Sequence, residues 1–179
     1  KQIVLSPEYA GGVITASGSA TTDGDFTADA SASASTPFIT LGGTAQNYLT
    51  YYEWSSLETS LQDYTVGVRV TLPADFSSWA PGGSSVQVVY NTELTTSDTS
   101  KLDFFLYPSS SATPTVYRQA QTSSTAKTWR TLDIAATDLN DGTPFNAASQ
   151  SAMIYLKMSS KDNNHVQISD IILNYLSKF

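Results

Sequence analysis

Few residues of this chain are equipped for chemistry. His165 is the one histidine, and it follows the turn signal Asp162-Asn163-Asn164, so it reads as an exposed residue entering the last strand. A nucleophile–histidine pair needs a base poised near neutral pH and a partner to hold it. No cysteine is present, which excludes thiol chemistry and cysteine-based zinc sites. Neither a G-x-S-x-G elbow nor a phosphate-binding glycine loop occurs. Glycoside hydrolysis needs two carboxylates facing each other across a cleft. The glutamates are Glu8, Glu53, Glu58 and Glu93, and Glu53, beside Tyr51, could pair with Asp103 on another strand. Scattered surface carboxylates give the same set, so the expectation is a domain that is not an enzyme.

One acidic residue stands out by its surroundings. Asp170 interrupts the aliphatic run 166–176, where a buried carboxylate is costly unless it is paired, hydrogen-bonded or metal-bound. Calcium takes hard oxygen ligands, often from distant segments. Asp170 is therefore the best single ligand candidate, with Glu8 as its partner. Thr22-Asp23-Gly24-Asp25 is a second, loop-type option, although it lacks EF-hand spacing. The other reading of Asp170 is a cap on a β-bulge, accepting hydrogen bonds from backbone amides.

Aromatic residues offer a different chemistry. Of the ten Tyr, seven Phe and three Trp, most must fill the core, so the informative ones lie on the wrong face of a strand. Phe105 and Tyr107 oppose Leu102, Phe104 and Leu106, which makes that strand apolar on both sides. Tyr51 and Tyr117 occupy comparable outer positions. Flat rings match the C–H face of a sugar; Arg69, Gln87 and Asp103 could supply hydrogen bonds around them, and Gly67 leaves room for a ring. A loop such as 27–36, or a neighbouring domain, could instead cover these rings.

Strands must position these groups, because the apolar residues alternate with period two almost throughout. In 64–72, Tyr64, Val66, Val68, Val70 and Leu72 share one face, and Thr65, Gly67, Arg69 and Thr71 the other. Further strands are expected at 47–55, 85–91, 101–107, 114–119, 128–134, 152–158 and 166–176, with candidates at 3–5 and 12–16. In the last strand, Val166 and Ile168 share one parity and Ile171, Leu173 and Tyr175 the other. A bulge at Ser169-Asp170 or two separate short strands explains this equally well. The small-residue tract 27–36 reads as a loop or a weak edge strand. Short helical turns are expected at 56–62 and 138–148.

Composition narrows the class. The chain has 179 residues, a length that all-β domains often reach as one unit, so a single domain over 1–179 is expected. Only 14% of residues are charged, leaving Ser, Thr, Asn and Gln to make the surface polar. Net charge is −7 and no basic run occurs, so nucleic acid and anionic membranes are poor partners. No apolar stretch is long enough to span a bilayer as a helix. The start at Lys1-Gln2-Ile3-Val4 reads as a mature or excised piece of an exported chain. Eight to ten strands in one domain point to a two-sheet antiparallel β-sandwich, with a closed barrel as the alternative.

Two resemblances add to this reading. The closing segments Thr128-Trp129-Arg130-Thr131-Leu132-Asp133-Ile134, Met153-Ile154-Tyr155-Leu156-Lys157-Met158 and Val166-Gln167-Ile168-Ser169-Asp170-Ile171-Ile172-Leu173-Asn174-Tyr175 resemble the last strands of jelly-roll carbohydrate-binding modules. That resemblance implies jelly-roll topology, glycan binding without catalysis, and a structural calcium between first and last strands, where Glu8 and Asp170 lie. Leu5-Ser6-Pro7-Glu8-Tyr9, Tyr51-Tyr52-Glu53-Trp54 and Leu61-Gln62-Asp63-Tyr64 look like a domain of large, β-rich bacterial surface proteins. This second resemblance implies a structural or adhesive repeat, secreted or on the cell surface, with neighbouring domains as partners.

Overall fold

The computed structural model describes residues 1–9, 14–18, 22–41 and 43–179, with 14–18 as backbone alone. The described residues form fourteen strands: β1 (Gln2–Leu5), β2 (Ile14–Gly18), β3 (Asp25–Ala32), β4 (Ile39–Leu41), β5 (Thr44–Gln46), β6 (Tyr48–Ser56), β7 (Gln62–Thr71), β8 (Phe76–Trp79), β9 (Val86–Thr92), β10 (Ser100–Pro108), β11 (Val116–Gln121), β12 (Arg130–Ile134), β13 (Ser151–Ser160) and β14 (Asn164–Ser177). One short helix, α1 (Ala136–Leu139), lies between β12 and β13. No described helix is long and apolar enough to cross a membrane.

Two antiparallel sheets make the sandwich. One runs β12-β9-β14-β6-β3, with β1 and β8 also paired to β14; the other runs β11-β10-β13-β7-β2. The two orders match position by position with chain neighbours. Opposite β12, β9, β14, β6 and β3 stand β11, β10, β13, β7 and β2 in the corresponding places. The chain thus passes repeatedly from sheet to sheet, as an antiparallel ribbon rolled on itself does, which is jelly-roll topology.

Alternation supplies the core. Leu102, Phe104 and Leu106 of β10, Ile154, Leu156 and Met158 of β13, and Val66, Val68 and Val70 of β7 face inward from one sheet. Tyr52 and Trp54 of β6, Val86, Val88 and Tyr90 of β9, and Val166, Ile168, Ile171 and Leu173 of β14 meet them from the other. Ring contacts continue through Tyr9, Tyr52, Phe26, Tyr64 and Trp54, each ring 4.6–5.7 Å from the next. The segments behind the second resemblance therefore meet as packing: Trp54 also donates its indole N–H to the Gln62 carbonyl at 3.0 Å. Gly24 is required beside them, because a Cβ there would strike the Ser55 carbonyl and the Trp54 ring.

The phase change in the last strand is a bulge within one strand. The register of β14 against β9 slips between Ile168 and Ile171. At the same point β14 exchanges its other neighbour: residues up to Ile168 pair with β6, and those from Ile171 pair with β1. Ser169 sends its hydroxyl to the Thr50 carbonyl at 2.7 Å, and Tyr9 donates its own to the Ser169 carbonyl at 3.3 Å. The bulge is thus where the sheet has a seam between β1 and β6, and Ser169 is bonded to both sides of it.

Of the two readings of the tract 27–36, the edge strand holds over 27–32, where β3 pairs with β6 over its whole length. Several other elements differ from expectation. Residues 56–62 form no helix, and the expected helix at 138–148 shrinks to the single turn α1. β4, β5 and β8 were not anticipated, and the strand count exceeds eight to ten. Residues 12 and 13 of the expected strand 12–16 lie outside the described residues. His165 is not in a loop but on β14, paired opposite Ser55. Its imidazole contacts the Glu93 carboxylate, whose other oxygen holds Lys127 at 2.6 Å.

Candidate functional site

The two outer faces of the sandwich are unlike. On the seven-stranded sheet, Leu49, Val89 and Ile172 point outward, yet they are buried beneath Phe38, Ile39 and Leu41 of the β4–β5 hairpin and beneath Trp129. That face is roofed by its own chain. Tyr51 belongs to it: the ring is 8% exposed and lies 5.5 Å from Trp129. Gln87 lies there too, its amide donating to Asp133 at 2.7 Å and its oxygen accepting from Asn174 at 3.3 Å. Tyr51 and Gln87 therefore stand apart from the other expected ligand residues, because β6 and β9 belong to the opposite sheet.

The outer face of the five-stranded sheet carries the rest. Inward burial of Leu102, Phe104 and Leu106 forces Lys101, Asp103, Phe105 and Tyr107 outward from β10. The same alternation turns Met153, Tyr155 and Lys157 outward from β13, and Thr65, Gly67 and Arg69 from β7. Antiparallel register aligns them in rows. Tyr117, Phe105, Tyr155 and Gly67 are successive cross-strand partners; Tyr107, Met153 and Arg69 form the next row, and Asp103, Lys157 and Thr65 the row on the other side.

Ring geometry follows from the rows. Phe105 and Tyr117 stack at 4.4 Å with 15° between planes, and Phe105 and Tyr107 lie 6.2 Å apart along the strand. Tyr107 meets Tyr155 edge-on at 5.6 Å. All four rings keep part of their surface in water, and Tyr117 is 40% exposed. Beside them an open cleft of ≈ 660 Å³ is lined by Arg69, Tyr107, Pro108, Ser109, Ser111, Ser151, Ala152, Met153 and Tyr155. Hydroxyls and one guanidinium thus border an aromatic wall. Tyr155 and Met153 were missed in the sequence, although their opposition to Ile154 and Leu156 is the signal that revealed Phe105.

Asp103 has a structural task. Its carboxylate accepts the Ala120 amide at 2.6 Å, at the slip in register between β10 and β11, where Ala120 has φ of 54°. The hydrolase pairing of Asp103 with Glu53 fails on geometry. Glu53 points outward from the seven-stranded sheet, bound by the Gln167 amide at 2.6 Å, on the far side of the molecule.

Metal candidates divide likewise. Asp170 sits at the seam bulge, where burial raises its carboxyl above the ordinary range and a hydrogen bond with Ser6 opposes the rise. Glu8 is exposed, at a left-handed φ of 74°, and lines a depression with Asp29, Thr50 and Tyr51. Among the described residues, no three His, Cys, Asp or Glu side chains converge as a metal site. Calcium takes six to eight oxygens, so an ion at Asp170 could draw only part of its shell from carboxylates and the rest from carbonyls and water. Asp23 and Asp25 line a separate depression with Glu58 and Asn163.

No family model matches the chain, and no curated protein sequence matches it. Its fold, a jelly-roll β-sandwich, is similar to that of carbohydrate-binding modules. The structure of TmCBM61 in complex with β-1,4-galactotriose is similar at 11% identity and a TM-score of 0.44, covering 90% of this chain and 88% of that one. The family 11 carbohydrate-binding module of a cellulosomal cellulase of Clostridium thermocellum is similar at 8% identity and a TM-score of 0.43, covering 100% and 97%. The glycoside hydrolase domain of Endo-D from Streptococcus pneumoniae R6 is similar at 11% and 0.47, covering 90% of this chain and 21% of that one.

Proposed function

We propose that this domain binds a glycan, without catalysis, on the outer face of its five-stranded sheet and outside the cell. One observation carries the reading: Tyr117, Phe105 and Tyr155 are successive cross-strand partners on three strands, on a sheet face whose rings stay partly exposed among the described residues while the opposite face is roofed. Large rings are costly to leave in water, and an aromatic face beside a hydroxyl-lined cleft suits a ligand with one apolar side and a polar rim. Sugar rings have that character. Rigid strands hold the rings in place before the ligand arrives, which limits the ordering cost of binding. The proposal includes a structural calcium ion at Asp170, with Glu8 as second carboxylate, whose part is to steady the β1–β6 seam.

The test is affinity electrophoresis of the wild type, Phe105→Ala and Tyr155→Ala through gels containing a panel of polysaccharides. Retardation by at least one polymer is expected for the wild type and should be lost in both variants, whose unfolding curves stay cooperative. Equal retardation of all three proteins, or of none, would overturn the proposal.

A further inference from the structure

Charge distinguishes the aromatic face from the remainder of the molecule. The chain carries a net charge of −7, yet the outer face of β10, β13 and β7 holds Lys101, Lys157 and Arg69 against Asp103 and Asp63. Both acids are engaged: Asp63 holds Lys157 at 3.0 Å, and Asp103 accepts the Ala120 amide. Arg69 has no ion-pair or hydrogen-bond partner among the described residues, although it lines the cleft beside Met153 and Tyr155. No cleft residue is acidic. The neighbouring strand β2 brings no acid either, since residues 10–21 contain neither Asp nor Glu.

An unpaired guanidinium at an aromatic cleft in an acidic protein is a selective feature. Its planar fork matches a carboxylate with two parallel hydrogen bonds, a geometry that a neutral hydroxyl cannot reproduce. Placed in the same cross-strand row as Tyr107 and one row from Tyr155, it can reach a carboxylate carried by a sugar ring stacked on those aromatics. The rest of the acidic surface repels polyanions that lack this fit, so the charge acts on specificity. We infer that Arg69 makes the cleft a site for uronic-acid-containing glycans, its guanidinium gripping the sugar carboxylate; this rests on the glycan-binding reading above.

Titration calorimetry on the intact domain tests it, with polygalacturonate, alginate and hyaluronan, each beside its carboxyl-reduced form, and with a neutral β-galactan and a sulfated dextran. Wild type should bind at least one uronate polymer, and carboxyl reduction should weaken that binding at least tenfold. Arg69→Met should lose at least about tenfold for the acidic form, the scale of a charge-assisted hydrogen bond, and nothing for the reduced form. Phe105→Ala should lose both. Equal affinity for acidic and reduced polymers, with no effect of Arg69→Met but loss in Phe105→Ala, overturns the uronate inference and leaves glycan binding standing. Binding of the sulfated polymer alone also overturns it, because the cleft then reads negative charge without the carboxylate. Absence of binding to every polymer overturns both readings.

Discussion

Phe105 and Tyr117 stack ring on ring at 4.4 Å across β10 and β11, directly opposite in register, on the water side of the sheet. One residue back along β10, Phe104 is wholly buried between the sheets. Adjacent phenylalanines thus serve two ends, one stability and the other surface.

That contrast gives a direct stability prediction. Phe104→Ala removes a ring from the closed core and should cost about 3–5 kcal/mol. Phe105→Ala loses one cross-strand stack and part of its burial, and should cost ~1 kcal/mol. Urea unfolding of both variants measures the gap. A Phe105→Ala loss as large as that of Phe104→Ala would make Phe105 a core residue and remove it from the site.

Tyr51 makes the converse case. It sits under the β4–β5 roof, near Trp129, with its hydroxyl 3.5 Å from Ser31. Tyr51→Ala should lower stability by ~2–3 kcal/mol, the lower range for an aromatic truncation because this satellite cluster is small. Glycan affinity of the folded variant should stay at the wild-type value, since the ring is on the other side of the sandwich. Loss of affinity with unchanged unfolding would place the binding face on the wrong sheet.

How these residues read in the sequence follows from what periodicity encodes. Alternation along 101–107 told inside from outside and put Phe105 and Tyr107 outward, as the strand has them. Parity cannot say which sheet a strand joins, however, so Tyr51 and Gln87 were grouped with residues on the opposite face. The Val166/Ile168 against Ile171/Leu173 switch located the change of phase, because a slip in register leaves its mark on every later side chain, but it did not separate a bulge from two short strands. Its cause, the seam between β1 and β6, depends on distant pairing and left no local mark. Ile39–Leu41 is too short to show a period, and Phe76–Trp79 buries its two ends around Ser77 and Ser78, so neither resembled a strand. The contact of Glu93 with His165 joins residues far apart in the chain and had no local signature either.

Asp103 and Ala120 form a testable unit. Ala120 holds a left-handed backbone at the β11 slip, a conformation that costs an alanine about 1–2 kcal/mol, and Asp103 fastens it through the amide. Ala120→Gly should therefore stabilise the domain by ~1 kcal/mol. Asp103→Ala should destabilise it by ~0.5–1 kcal/mol, and Asp103→Asn, which keeps an acceptor, should recover most of that. Glycan binding should persist in all three. Weakened binding in Asp103→Ala at full stability would mean that the carboxylate faces ligand after all.

Asp170 decides the calcium question through the sign of its pH dependence. Burial raises its carboxyl above the ordinary range, ahead of the opposing Ser6 hydrogen bond. An acid with a raised folded-state pKa contributes stability below its unfolded value and loses that contribution as pH rises through the folded value. In chelator, then, this group should make the wild type less stable as pH climbs out of the acid range towards neutrality, and Asp170→Asn should flatten that limb. A calcium ion on the carboxylate reverses the sign, because it binds the ionised form. Thermal unfolding at neutral pH should show a melting temperature that rises with calcium and falls back with chelator in the wild type, with a smaller rise in Glu8→Gln and none in Asp170→Asn. No calcium response in the wild type would remove the ion and leave Asp170 as a half-buried acid hydrogen-bonded to Ser6 beside the seam.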